Sequence, residues 1–222
     1  MMDEVIRIEN AVRMQSGRRM LNGVTLRIGE GECVTISGPP GSGKSALARV
    51  IAGMDKPDAG EVFVLGQPVH TMSADAAAAF RNRHIGILAR DSAFLNSLSL
   101  LENVAMPLAL RHETRASRQK KAKEQLKSLG LLYAAPARVS QLTLLERHKA
   151  AVARVLAAQP EVLLLDDFAA DLDDKDSIAG ILRTICRFGN MTVLELTGAC
   201  GGLICEGKTL RLEQGRVREG TI

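Results

Sequence analysis

Tryptophan is missing from this chain, and tyrosine occurs once. Aromatic residues make up only 3% of the 222 positions against 46% apolar residues overall, so a core, if formed, has to be aliphatic. The scarcity of aromatics also argues against a single-stranded nucleic-acid groove, which needs stacking platforms between its charges. The densest basic stretch is 111–127, with Arg115, Arg118, Lys120, Lys121, Lys123 and Lys127. It has no aromatic between its charges, and Leu126 and Leu129 mark an anchoring side. It reads as the solvated face of a helix, and no nucleic-acid partner is expected. The net charge of +4 adds little to that decision.

Cysteine is sparse too. Cys33, Cys186, Cys200 and Cys205 form no CxxC pair, and no histidine stands at ligand spacing. Neither a zinc site nor a disulfide framework is expected, and Cys33, in an apolar strand pattern, reads as a small hydrophobe. No apolar run approaches the ~20 residues that span a bilayer. The first residues, Met-Met-Asp-Glu-Val-Ile-Arg, lack the apolar segment of a signal peptide. A cytoplasmic location follows, peripheral to a membrane only through a partner.

What the sequence does contain is an alternation of strand and helix patterns. Strands are expected at Val5–Ile8, Val24–Ile28, Cys33–Ser37, Glu61–Leu65, Ile85–Leu88, Val162–Asp166, Thr192–Leu196, Ile204–Glu206 and Thr209–Glu213. Helices are expected from Ser45, from an N-cap at Ser73, over Leu101–Leu110, Ser117–Leu129 and Leu144–Ala157, and over Ile178–Phe188. The stretch from about 91 to 157 reads as helical throughout. No repeat or linker interrupts the chain, so residues 1–222 read as one α/β domain with a helical subdomain at about 91–157.

Two segments carry chemistry. Gly38-Pro39-Pro40-Gly41-Ser42-Gly43-Lys44-Ser45 matches G-x-x-x-x-G-K-[ST], after a strand and before a helix. Glycines permit left-handed backbone and close approach to phosphates. Consecutive main-chain N–H groups turn inward as an anion nest at the positive end of the following helix. Lys44 is the mobile cation for the β- and γ-phosphates, and Ser45 the hydroxyl for Mg²⁺. The second segment is the buried strand Val162–Asp166, which brings Asp166 and Asp167 to the sheet edge where α/β proteins bind ligands. Asp166 is the candidate Mg²⁺ carboxylate, directly or through water. ATP and Mg²⁺ are the expected ligands.

The phosphate loop, the strand ending at Asp166, and Ala170-Asp171-Leu172-Asp173, at this spacing, resemble the nucleotide-binding subunits of ABC transporters over about residues 5–218. Arg81-Asn82-Arg83-His84-Ile85-Gly86 and Leu101-Glu102-Asn103-Val104-Ala105-Met106-Pro107-Leu108 look like the lipoprotein-release and macrolide-export branch. The resemblance implies a P-loop NTPase core sheet with an antiparallel β subdomain and an α-helical insertion. It also implies membrane-spanning subunits as partners at the inner face of the plasma membrane, and head-to-tail pairing with a second ATP-binding subunit, as homodimer or heterodimer. In that pairing Asp173 would lie at the dimer interface, and each nucleotide would face a Ser-Gly-Gly-Gln signature across it.

Several family positions differ here. Where the signature belongs, the chain has Thr143-Leu144-Leu145-Glu146, with no glycine pair and with a carboxylate for the amide. Asp167 replaces the usual catalytic Glu, Gly198 stands where a γ-phosphate His is expected, and Arg90 takes the place of a Gln. Gln15 or Met14 falls where an aromatic stacks on adenine. General-base catalysis contributes ~10²–10⁴-fold and phosphoryl charge stabilisation often more. The expectation is an ATP-binding subunit with slow or absent hydrolysis. The alternatives are a fully active transport ATPase and, in another class, an unrelated P-loop kinase.

Overall fold

Alternating apolar residues build the strands and period-3.6 stripes build the helices, and their order along the chain sets the layers. The computed structural model describes residues 4–173, 175–188, 191–198 and 207–219. The strands are β1 (Glu4–Gln15), β2 (Arg18–Gly29), β3 (Cys33–Ser37), β4 (Ala59–Val64), β5 (Gln67–Pro68), β6 (Ile85–Ala89), β7 (Val162–Asp166), β8 (Thr192–Thr197), β9 (Lys208–Glu213) and β10 (Arg216–Glu219). The helices are α1 (Lys44–Ile51), α2 (Ala74–His84), α3 (Leu100–Leu110), α4 (Arg115–Ser128), α5 (Leu144–Ala158) and α6 (Lys175–Phe188).

Two sheets form. An antiparallel one runs β2-β1-β4-β5, and a six-stranded one runs β10-β9-β3-β8-β7-β6. In the second, β3, β6, β7, β8 and β9 are parallel and β10 closes the edge antiparallel to β9. The strand β7 shows why this sheet is central. Val162, Leu163, Leu164 and Leu165 are all buried. Val162 and Leu164 join a core with β1, β2, β4 and α1, whereas Leu163 and Leu165 join one with α5 and α6. A strand covered on both faces has no use for polar residues until it ends, and it ends in Asp166. A third apolar cluster holds α3, α4 and α5 together through Leu100, Leu108, Leu126 and Ala153.

The sheet strands Cys33–Ser37 and Val162–Asp166 fall at the expected bounds, and Ser73 caps α2 by accepting from the Ala76 amide at 3.2 Å. Other elements differ. β1 and β2 form one long hairpin instead of two short strands, because register shifts around Ile8 and Ala11 break the alternation that periodicity follows. Residues 91–98 are not helical. They form a loop pinned by Asn103, which is fully buried. Its amide accepts from Leu95 N at 2.8 Å and donates to Leu95 O, Leu98 O and Ser99 O. Arg154 holds the same loop from α5, donating to Ala93 O with its guanidinium over the Phe94 ring.

The expected strand Ile204–Glu206 lies outside the described residues. Cys33 packs against the core as expected of a small hydrophobe, but it is also disulfide-bonded, which was not expected. Pairing through space leaves no spacing motif to read. No helix among the described residues is long and apolar enough to cross a membrane.

Candidate functional site

The parallel strands β3, β7 and β8 stop side by side, and their ends gather the chemistry. β3 runs into the loop 38–43, and the Gly38 amide donates to Thr197 O at 3.1 Å, tying the loop to the end of β8. The loop closes on itself through Ser42 N to Pro39 O at 3.2 Å and is backed by Gly215 N to Ser42 O at 3.2 Å.

Gly43 occupies left-handed space, with φ 108°, and a Cβ there would meet Met20 O at 2.2 Å. Any other residue would clash with the backbone of β2. As the residue before α1, Gly43 has no side chain to cap the helix, and no acidic residue lies in the first turn. The positive end of α1 is therefore left for an outside anion.

Lys44 is buried, 6% exposed, and donates to Gly38 O at 2.7 Å and Pro39 O at 3.2 Å. Its ammonium also lies 4.0 Å from Asp167 Oδ2. Ser42 Oγ is buried and has no partner among the described residues, and neither has Asp166 Oδ1. Two buried oxygens without a protein partner, a buried lysine and an uncapped helix together suit a phosphate and a hard cation. Burial holds the Asp166 carboxyl above the usual carboxylate range, and the charge of Asp167 pushes the same way. The hydrogen bond from Ser45 and the nearby Lys44 oppose them. Asp166 and Ser45 thus meet, as an all-oxygen pair suited to Mg²⁺, which takes one or two protein oxygens and completes its shell with phosphate and water.

Asp167 and Gly198, expected to be separate departures, touch. The Gly198 amide donates to Asp167 Oδ1 at 2.7 Å. Asp167 itself is left-handed, φ 48°, and its own amide donates to Leu196 O at 2.8 Å. The Arg90 amide donates to Asp166 O at 3.1 Å, so position 90 also belongs to this edge, although its side chain is exposed. Met14 is exposed at the β1–β2 hairpin, and Gln15 ends the strand beside it.

Thr143–Glu146 forms the start of α5. Thr143 is the N-cap, accepting from Glu146 N at 3.3 Å, and the Glu146 carboxylate returns to Thr143 N at 2.7 Å and Thr143 Oγ1 at 2.8 Å. Tyr133 donates its hydroxyl to the other carboxylate oxygen. That bond, with the two from Thr143, holds the Glu146 carboxyl below the usual range, and raises the Tyr133 hydroxyl in turn. The Glu146 charge is therefore turned back on its own helix, which sequence alone could not show. Leu144 is exposed, while Leu145 packs against the core of α5 and α6.

A cavity of about 400 Å³ brings Leu144 and Arg90 together, with Phe94, Arg147, His148 and Asp171 around it. Asp173 is exposed farther along the turn that leaves β7. Sequence reasoning missed the His148 cluster. The His148 ring lies 5.0 Å from the Phe168 ring, and its Nε2 is 3.2 Å from Asp171 Oδ1, within ion-pair reach but not aligned for a hydrogen bond. The adjacency of Phe168 to Asp167 was the one local signal available.

Comparison with known proteins agrees with this geometry. Residues 21–170 match the family model for ABC transporter. The lipoprotein-releasing system ATP-binding protein LolD of Chromohalobacter salexigens is 34% identical over 202 residues, 90% of this chain and 85% of that protein. The uncharacterized ABC transporter ATP-binding protein YbbA of Escherichia coli is 34% identical over 202 residues, 90% of this chain and 89% of that protein. Among solved structures, the dimeric structure of MJ0796, a bacterial ABC transporter cassette, superposes with a TM-score of 0.87 at 30% identity, covering 96% of this chain and 97% of that one. A match of this extent, over a phosphate loop, an acidic strand end and the layers that hold them, means that the chain belongs to the ABC transporter family, as an ATP-binding domain.

Proposed function

We propose that the chain binds ATP with Mg²⁺ through Gly38–Ser45 and Asp166, serves as the ATP-binding subunit of an ABC transporter complex, and hydrolyses ATP slowly or not at all. Main-chain amides of the loop and the N-terminus of α1 receive the phosphates, Lys44 neutralises them, and Ser45 and Asp166 hold the cation. When bound, Mg²⁺ supplies charge neutralisation at the phosphates. Likeness to LolD and YbbA supports membrane-spanning subunits as partners, which would keep the chain at the inner face of a membrane. Likeness to the MJ0796 dimer supports pairing with a second cassette.

The observation that carries the slow half of this reading is the closed start of α5. The amides of Thr143 and Glu146 are taken up by the capping box itself. A γ-phosphate offered across a dimer would meet a carboxylate and the exposed Leu144 where open amides are needed. A fully active ATPase remains the second reading, favoured by the carboxylate that Asp167 keeps near Lys44. Steady-state ATPase of the purified chain, alone and with its membrane subunits, separates the two. We expect a rate more than about tenfold below that of relatives with the Ser-Gly-Gly-Gln signature. A rate inside that margin leaves only the active reading.

A further inference from the structure

Asp167 sits between the phosphate-loop lysine and the main chain at the end of β8. Left-handed backbone at φ 48° turns the chain over the end of β8, where its amide meets Leu196 O. The side chain continues in the same direction. One oxygen accepts from the Gly198 amide at 2.7 Å, and the other lies 4.0 Å from Lys44 Nζ. Lys44 is already spending two protons on Gly38 O and Pro39 O. A carboxylate placed this way has one oxygen committed to main chain and the other turned toward the cation meant for phosphate.

Position 198 fits the same arrangement. A Cβ on Gly198 would lie 3.6 Å from Asp167 Oδ1, an ordinary contact, so a side chain there has room but would lie against the carboxylate. The shortened acid and the missing side chain are thus two halves of one local structure.

We propose that Asp167 is a positioning residue: it ties the end of β7 to the end of β8 through Gly198 and competes with phosphate for Lys44, so that it sets nucleotide affinity instead of taking a proton from water. The proposal rests on the ATP-binding reading above. A negative charge beside the phosphate lysine weakens its pull on a triphosphate, and removing that charge while keeping an oxygen for Gly198 separates the two effects.

The test uses the full chain and the variants Asp167→Asn and Asp167→Ala. Two quantities are measured: the Kd for a non-hydrolysable ATP analogue with Mg²⁺, by calorimetry, and the exchange rate of the Gly198 amide proton. The Asn variant keeps an acceptor for Gly198. Its amide should stay protected while the analogue binds tighter by on the order of tenfold. The Ala variant should speed Gly198 exchange at least tenfold, and Asn should restore the protection that Ala loses. An Asn variant with Kd within twofold of the parent overturns the competition, and unaltered Gly198 exchange in the Ala variant overturns the tie. Should the parent bind no analogue at all, the ATP-binding reading falls and the affinity role falls with it, whereas the exchange measurement still decides the tie.

Discussion

His148 Nε2 lies 3.2 Å from Asp171 Oδ1, joining the first turns of α5 to the turn that follows β7. The imidazole is only 5% exposed and lies tilted against the Phe168 ring, whereas the Asp171 side chain is 29% exposed. Most of the contribution of His148 therefore comes from packing. His148→Ala should cost about 2–3 kcal/mol in urea unfolding, through the cavity it opens. Asp171→Ala should cost under about 1 kcal/mol, as for a half-exposed pair. The double variant should show a coupling of about 0.5–1 kcal/mol. Strict additivity would mean that the two groups merely lie near each other.

Lys44→Ala removes the buried cation of the phosphate loop. Calorimetric titration with ATP and Mg²⁺ should show binding at least about a hundredfold weaker than the parent, as expected when a charge-assisted contact to phosphate is lost in a buried site. Unchanged affinity would place the nucleotide elsewhere.

Gly43 and Gly41 make a matched pair. Both are left-handed, with φ 108° and 77°, yet a Cβ on Gly41 meets nothing within 4 Å while one on Gly43 meets Met20 O at 2.2 Å. Gly41→Ala should cost only backbone strain, about 1 kcal/mol. Gly43→Ala should cost more and distort the loop enough to remove ATP binding. Thermal unfolding and titration of both variants check this, and equal behaviour would mean that β2 yields to the added methyl.

The capping box at α5 has a thermal and a pH signature. Thr143→Ala should cost about 1 kcal/mol, or a Tm lower by about 2–4 °C for a chain of this length. The Glu146 carboxyl is held below its ordinary range mainly by Tyr133. Its stabilising contribution is therefore fully present above the unfolded-state value and is lost as pH falls through the folded-state value. The Tm difference between parent and Glu146→Gln should be present at neutral pH and shrink in acid. A difference that grows in acid would reverse the sign and refute the contact.

Burial pushes the Cys186 thiol up to about 11, with the charge of Glu195 adding to it. The thiolate is the reactive form, so alkylation of the peptide bearing Cys186 should be slow at pH 8 in the folded chain and fast after unfolding. Rapid labelling in the native state would show that α6 opens readily.

Much of this was legible in the residues. Val162–Asp166 announces itself as a continuous apolar run ending in acid, and Gly38–Ser45 by the chemistry that phosphate demands. The loop at 91–98 was not legible, since Phe94, Leu95 and Leu98 look helical until Asn103 and Arg154 are seen to hold their carbonyls and amides. The bond between Asp167 and Gly198 spans 31 residues and uses a main-chain amide, which no side-chain pattern records. Sequence placed a charge at position 146 but not its direction, because that depends on Tyr133 arriving from another segment.

The closeness of Gly43 to β2 has one more implication. What crowds position 43 is the carbonyl oxygen of residue 20, and every amino acid carries one. A library that varies Met20 among side chains able to pack against the same core should therefore return functional clones, and one that varies Gly43 almost none. The geometry that shapes the cradle is shared by both partners, yet only one of them would register it as intolerance to change.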